Sequence, residues 1–135
     1  DVLAQEGGEV QAKNKVILAT VKGDIHDIGK NIVKVLLENY SCDVIDLGKD
    51  VPPEVIVDTA VEQDIRLVGL SALMTTTVVS MEETIKLLRE RKPECKVMVG
   101  GAVLNQDYAD MIGADFYGKD AMQSVYYAQR VFGED

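Results

Sequence analysis

Five times along this chain a short apolar run is followed by a polar or glycine-bearing loop and then by a helical pattern. That alternation constrains the fold more than any other feature. The apolar runs cover residues 16–21, 44–47, 67–71, 96–100 and, more weakly, 114–117, with Gly48 ending the second. The spacing of apolar residues predicts a first helix over 29–40, with Ile28, Ile32, Leu36 and Tyr40 on one face. Pro52 and Pro53 open a second helix that continues to residue 63. The polar stretch 74–77 leads into a third, with Val78, Met81, Ile85 and Leu88 at core spacing. A short fourth covers 105–112, and a fifth carries Ala121, Val125, Ala128 and Phe132. Nearly all-apolar strands joined by short helical connections specify a parallel sheet covered on both faces.

The expected fold class is therefore α/β, a doubly wound, flavodoxin-like (Rossmann-type) five-stranded parallel sheet of order 2-1-3-4-5. Its switch point lies between strands one and three, where the loops after Val21 and Ser71 converge. Residues 1–14 carry Gly7-Gly8 and no sustained apolar period, and read as a linker or the remnant of a preceding domain. Residues 15–135 read as one domain. The net charge of −9 speaks against a nucleic-acid or anionic-membrane surface. Cys42 and Cys95 are too far apart in sequence to suggest a metal or redox pair. No apolar run approaches the ~18 residues of a membrane span. A soluble, cytoplasmic protein is expected.

The stretch Lys22-Gly23-Asp24-Ile25-His26-Asp27-Ile28-Gly29-Lys30 follows the first strand and holds the only histidine of the chain. In open α/β sheets, loops at the carboxyl ends of strands are where ligands bind. A phosphate loop is excluded, because five residues separate Gly23 from Gly29 where four are needed, and Asn31 stands in place of Ser or Thr. Asp24 and Asp27 would also repel a polyphosphate. No dinucleotide fingerprint follows any strand. One histidine with two separated cysteines cannot build a closed zinc site. One histidine can supply a single axial ligand to a metal whose other positions belong to a macrocycle. Such a ligand needs its second ring nitrogen held by an oriented acceptor, and Asp24 is placed for that. Gly29 would let the following helix approach the ring. From these residues alone, a capping or surface role for His26 remains equally open.

Longer spacings add to this. Asp24-x-His26-x-x-Gly29 is followed after 41 residues by Ser71-x-Leu73, and after 26 more by Gly100-Gly101. In this three-part register, residues 15–132 resemble the cobalamin-binding domains. The resemblance implies that His26 is the lower axial ligand of cobalt, displacing the cofactor's own base. Ser71 and Leu73 would line the slot that takes the displaced nucleotide tail, and Gly100 and Gly101 would leave room for it. Asp27, Ile28, Gly29, Met74 and Thr75 flank these motifs and are candidate cofactor contacts. Thr77, six positions after Ser71, matches a hydroxyl residue that extends the Asp–His hydrogen-bond chain in methionine synthases. Asp24, His26 and Thr77 are thus the candidate catalytic group, coupling ligand release to proton uptake. An alternative reading of Thr77 is a helix N-cap.

The wording of 21–31, and of Asp46-Leu47-Gly48 with Val51-Pro52, is similar to the methyl-carrying branch of the family. The first expectation is thus the cobalamin module of a methionine-synthase-like methyltransferase in methionine biosynthesis. It would cycle between cob(I)alamin and methylcobalamin, moving a methyl group from methyltetrahydrofolate to homocysteine, and would need partner domains for donor and acceptor. The alternative is a free-standing corrinoid protein of a methanol, methylamine or aryl-ether methyltransferase system. From other classes, a cobalamin-dependent sensor and a cofactor-free flavodoxin-like signalling module remain. Methyl carriers of this family usually have a helical cap over the upper cobalt face. Residues 1–14 cannot form one, so a separate cap domain is a further expected partner.

Overall fold

The computed structural model of the chain describes residues 14–40, 42–101 and 103–133. The linker or domain remnant expected over 1–14 lies, apart from Asn14, outside them. The elements are β1 (Lys15–Val21), α1 (Ile28–Asn39), β2 (Asp43–Val51), α2 (Pro53–Glu62), β3 (Leu67–Ser71), α3 (Thr75–Arg91), β4 (Lys96–Gly100), α4 (Gln106–Ile112), β5 (Phe116–Tyr117) and α5 (Ala121–Gly133). The strands form one parallel sheet of order β2-β1-β3-β4-β5, as the alternation predicts. None of the described helices is long and apolar enough to cross a membrane.

Side chains of a strand alternate between faces, and the two faces build separate cores. Ile17, Ala19 and Val21 of β1 join Val68, Leu70, Val97 and Val99 under α2, α3 and α4, where the expected Val78, Met81, Ile85 and Leu88 are all buried. Val16, Leu18, Leu67 and Met98 face the other way, against Leu37 of α1 and Val125 and Ala128 of α5. Between α1 and α5 the packing gives way to a cavity at the carboxyl ends of the strands.

Two expectations are corrected. The face of α1 was expected at Ile28, Ile32, Leu36 and Tyr40, but Ile28 is 78% exposed and Ile32 and Tyr40 are also open. The buried positions are Lys30 and Leu37, with Val33 and Leu36 partly covered. Apolar residues occupy more than one stripe of this helix, and the face with Val33 and Leu37 is the one that meets the sheet, while Ile32 borders the cavity instead. The second strand does not stop at Gly48. It continues to Val51 because β2 carries two bulges against β1, Leu18 and Ala19 facing Asp46 and Gly48, then Ala19 and Val21 facing Gly48 and Val51. Gly48 sits at φ +94°, which glycine adopts without the usual steric cost.

The α1 assignment is testable by urea denaturation. Leu37→Ala should destabilise the protein by about 2–5 kcal/mol, whereas Ile28→Ser should change stability by no more than ~0.5 kcal/mol.

Candidate functional site

The β1–α1 loop starts with a tight turn in which the Asp24 N–H donates to the Val21 carbonyl at 3.0 Å and Gly23 takes φ +89°. The turn drives the Asp24 side chain into the protein, where no part of the residue meets solvent. A buried carboxylate is tolerated only when its oxygens are satisfied. Here each oxygen has two donors. Oδ1 accepts from the His26 backbone N–H at 3.0 Å and lies 2.7 Å from His26 Nδ1. Oδ2 accepts from the Leu73 N–H at 2.7 Å and from the Thr77 hydroxyl at 2.8 Å. Burial alone would raise the Asp24 carboxyl, but the bonds from Leu73, His26 and Thr77 outweigh it and hold the group well below the usual carboxylate range.

An ionised Asp24 can only accept hydrogen bonds, so Nδ1 of neutral His26 must carry the ring proton. Nε2 is then left with a bare lone pair on a side chain that is 47% exposed. The arrangement offers one nitrogen ligand, oriented by a carboxylate behind it. Thr77 stands in the first turn of α3, whose N-cap is Met74. Its single proton faces two acceptors, Asp24 Oδ2 and the Met74 carbonyl oxygen at 2.8 Å. Thr77 is therefore not the N-cap but a link between the helix start and Asp24.

At the strand ends lies a cavity of about 360 Å³ that Leu73 joins to the Asp24 group, while Asp24, His26 and Thr77 do not themselves line it; its size is in the range of small-molecule sites. Leu18, Gly69 and Met98 line it from the strands, and Gly29, Lys30 and Ile32 from α1. Ser71, Leu73, Gly100 and Gly101 line it at the strand ends. Gly118, Lys119, Asp120 and Ser124 close the far side. Hydrogen bonds tie that far wall together: Asp120 Oδ1 accepts from the Gln123 N–H at 2.9 Å, while Gln123 Oε1 accepts from the Lys119 N–H at 2.8 Å. This reciprocal pair is a variant of the capping box at the start of α5. Lys30 is buried, and its ammonium donates to Asp46 Oδ1 at 2.6 Å and to Asn31 Oδ1 at 3.0 Å.

The glycines around the cavity have different physical causes. A Cβ on Gly101, at φ +140°, would lie 1.8 Å from the Ala72 carbonyl oxygen, so backbone contact alone demands glycine there. A Cβ on Gly100 would meet only the Gly118 carbonyl oxygen at 3.6 Å, an ordinary contact. A Cβ on Gly29 would meet nothing within 4 Å. The expectation that Gly29 permits a close approach of the helix to the His26 ring is thus corrected, since no protein group crowds that position.

The structure brings Asp24, His26, Leu73 and Thr77 into one hydrogen-bonded group, and gathers Gly29, Ser71, Leu73, Gly100 and Gly101 around the cavity. Asp27, Ile28, Met74 and Thr75 do not line the cavity; Asp27 caps α1 through its backbone, and Thr75 is exposed at the start of α3. The sequence reading missed Gly69 and the wall from Gly118 to Ser124. A glycine inside an apolar strand and a glycine directly after the last one were the available signals.

Two measurements check this geometry. Asp24 has a depressed folded-state pKa, so its stabilising contribution is complete above the ordinary carboxylate value of about 4 and is lost as pH falls below it. Asp24→Asn should cost about 1–3 kcal/mol at neutral pH, and the gap to the parent should narrow between about pH 4 and pH 2 in urea titrations. Gly101→Ala should destabilise the fold by more than about 3 kcal/mol, while Gly100→Ala should cost ~1 kcal/mol or less in the same assay.

The B12 binding domain family matches residues 14–126. The chain is 42% identical over 127 residues to dimethylamine corrinoid protein 1 of Methanosarcina mazei, covering 93% of this chain and 59% of the relative. It thus spans about three fifths of that relative's length. Among solved structures, the monomethylamine corrinoid protein of Methanosarcina barkeri superposes with a TM-score of 0.82 at 30% identity, covering 93% of this chain and 63% of that one. The methanol:cobalamin methyltransferase complex of Methanosarcina barkeri gives 0.86 at 32% identity, covering 91% of this chain and 48% of the matched one. The fold, the expected cofactor and the three-part register thus converge, and the chain belongs to the B12-binding domain family.

Proposed function

We propose that this chain is the corrinoid, methyl-carrying domain of a methylamine-type methyltransferase system. The observation that carries it is His26, with Nδ1 pinned to a buried carboxylate and Nε2 bare, that carboxylate being bonded in turn to Leu73 on the wall of an apolar-floored cavity at the strand ends. The alternative reading of the sequence is preferred over the methionine-synthase module, because similarity runs to dimethylamine and monomethylamine corrinoid proteins.

The residues fit cobalamin. Exposed Ile25, Ile28, Leu73 and Met74 flank His26 with apolar surface suited to a macrocycle. The open space over Gly29 and the cavity bounded by Ser71 and Gly100 suit a tail. Bound cobalamin supplies a cobalt centre that accepts a methyl group and delivers it to a nucleophile. His26 Nε2 would hold the cobalt in this reading. Asp24 Oδ1 keeps the Nδ1 proton in place, and Leu73 and Thr77 keep Asp24 from rotating. When Nε2 is not bound to metal, it is the ring atom open to a proton. The cytoplasm is the compartment this reading implies, with a methyltransferase as partner for loading and another for discharge. A helical cap domain would shield the exposed side of the cofactor.

Reconstitution with hydroxocobalamin is the direct test. The parent should take up one equivalent with a histidine-ligated visible spectrum, and His26→Ala should give the base-off spectrum. Loading should then require a methylamine with its methyltransferase, and not methyltetrahydrofolate with a folate-binding partner. Loading from the folate would return the methionine-synthase reading.

A further inference from the structure

Asp50, near the end of β2, grips the peptide backbone around Asp24 from both sides. Its carboxylate Oδ1 accepts from the Gly23 N–H at 2.8 Å, and its own N–H donates to the Asp24 carbonyl at 2.9 Å. Both groups belong to the turn that aims the Asp24 side chain inward. Asp50 reaches them only because β2 gains a residue at each of its two bulges, which carries the strand end over the β1–α1 loop. Bulges of this kind re-aim groups next to functional sites.

Asp50 makes these contacts from φ +57°, a left-handed conformation that glycine adopts more readily. A side chain kept in a strained backbone state is a reason to ask what the side chain does. The segment is also anchored at its other end. Asp46 Oδ1 accepts from the Gly48 N–H at 2.9 Å and from the buried Lys30 ammonium at 2.6 Å. The stretch from Asp46 to Asp50 is thus a brace fixed to α1 at one end and to the Asp24 turn at the other.

We propose that Asp50 is a positioning residue for the Asp24–His26 pair. By holding Gly23 and Asp24 in register with β2, it fixes where the Asp24 carboxylate stands and so which nitrogen of His26 carries the proton. The inference deepens the reading of His26 as cofactor ligand, but its first test does not depend on cofactor. His26 is the only histidine of the chain, so the ring-nitrogen signals of ¹⁵N-labelled apoprotein report on it alone.

The test compares the parent, Asp50→Gly and Asp50→Asn at one mildly alkaline pH, where the neutral-ring tautomers are read. Glycine keeps the N–H donor and relieves the backbone strain, while asparagine keeps an acceptor oxygen and tolerates the left-handed state. The parent should show the Nδ1–H tautomer. Asp50→Gly should lower the ratio of Nδ1–H to Nε2–H at least severalfold without a lower thermal midpoint, and Asp50→Asn should restore most of it. An unchanged tautomer ratio in Asp50→Gly overturns the proposal, as does an Asp50→Asn ratio no better than that of glycine. In hydroxocobalamin-loaded samples the histidine-ligated fraction should fall in the same order. A parent that takes up no cofactor would overturn the ligand reading, and the tautomer ratios would still decide the role of Asp50.

Discussion

The carboxyl edge of the sheet depends on one buried anion. Asp24 has no contact with water, so its charge must be neutralised by donors that cannot drift away. Those donors come from two connections, the His26 N–H and ring from the β1–α1 loop, and the Leu73 N–H and Thr77 hydroxyl from the β3–α3 loop and the first turn of α3. Removing any of them would leave part of a charge unsatisfied in a low-dielectric interior. The two loops that meet at the switch point of the sheet are therefore locked to one another through a single side chain. The state of the imidazole is a by-product of that lock.

The rest of the molecule leaves room beside it. One face of the sheet is covered by α2, α3 and α4 over a large core. The opposite face carries a smaller core, concentrated on Leu37, Val125 and Ala128. At the strand ends α1 and α5 no longer close over the sheet, and the cavity occupies the space between them. Lys30 shows how the wall of such a cavity can hold a charge. Its ammonium is turned away into a carboxylate of β2, and the pair binds α1 to the edge strand.

Most of the architecture was legible in the sequence because the strands are solid apolar runs and the helices after them are short and well punctuated. The group of Asp24, His26 and Thr77 was expected from the resemblance that the motif intervals carry, and hydrogen bonds join the three. The face of α1 was not, because Ile28, Ile32, Val33, Leu36 and Leu37 offer more than one apolar stripe and only tertiary packing chooses between them. The end of β2 was hidden by Gly48, expected to end the strand, which instead runs on to Val51 through a bulge on either side of Gly48. The N-cap role that Thr77 also offered does not hold, because the chain begins the helix earlier, at Thr75. The far wall of the cavity escaped notice because Gly118 to Ser124 meets β3 and β4 only in three dimensions.

Gly101 has a wider consequence. Its missing side chain faces the Ala72 carbonyl oxygen at a separation no carbon could occupy, so this part of the wall is main chain against main chain. Sequence drift can exchange Lys119 or Asp120 at the rim and retune what the pocket welcomes. It cannot reshape the Ala72–Gly101 contact without dismantling the strands themselves. The pocket is to that extent inherited with the fold, and diversification among descendants of this chain is confined to its edges.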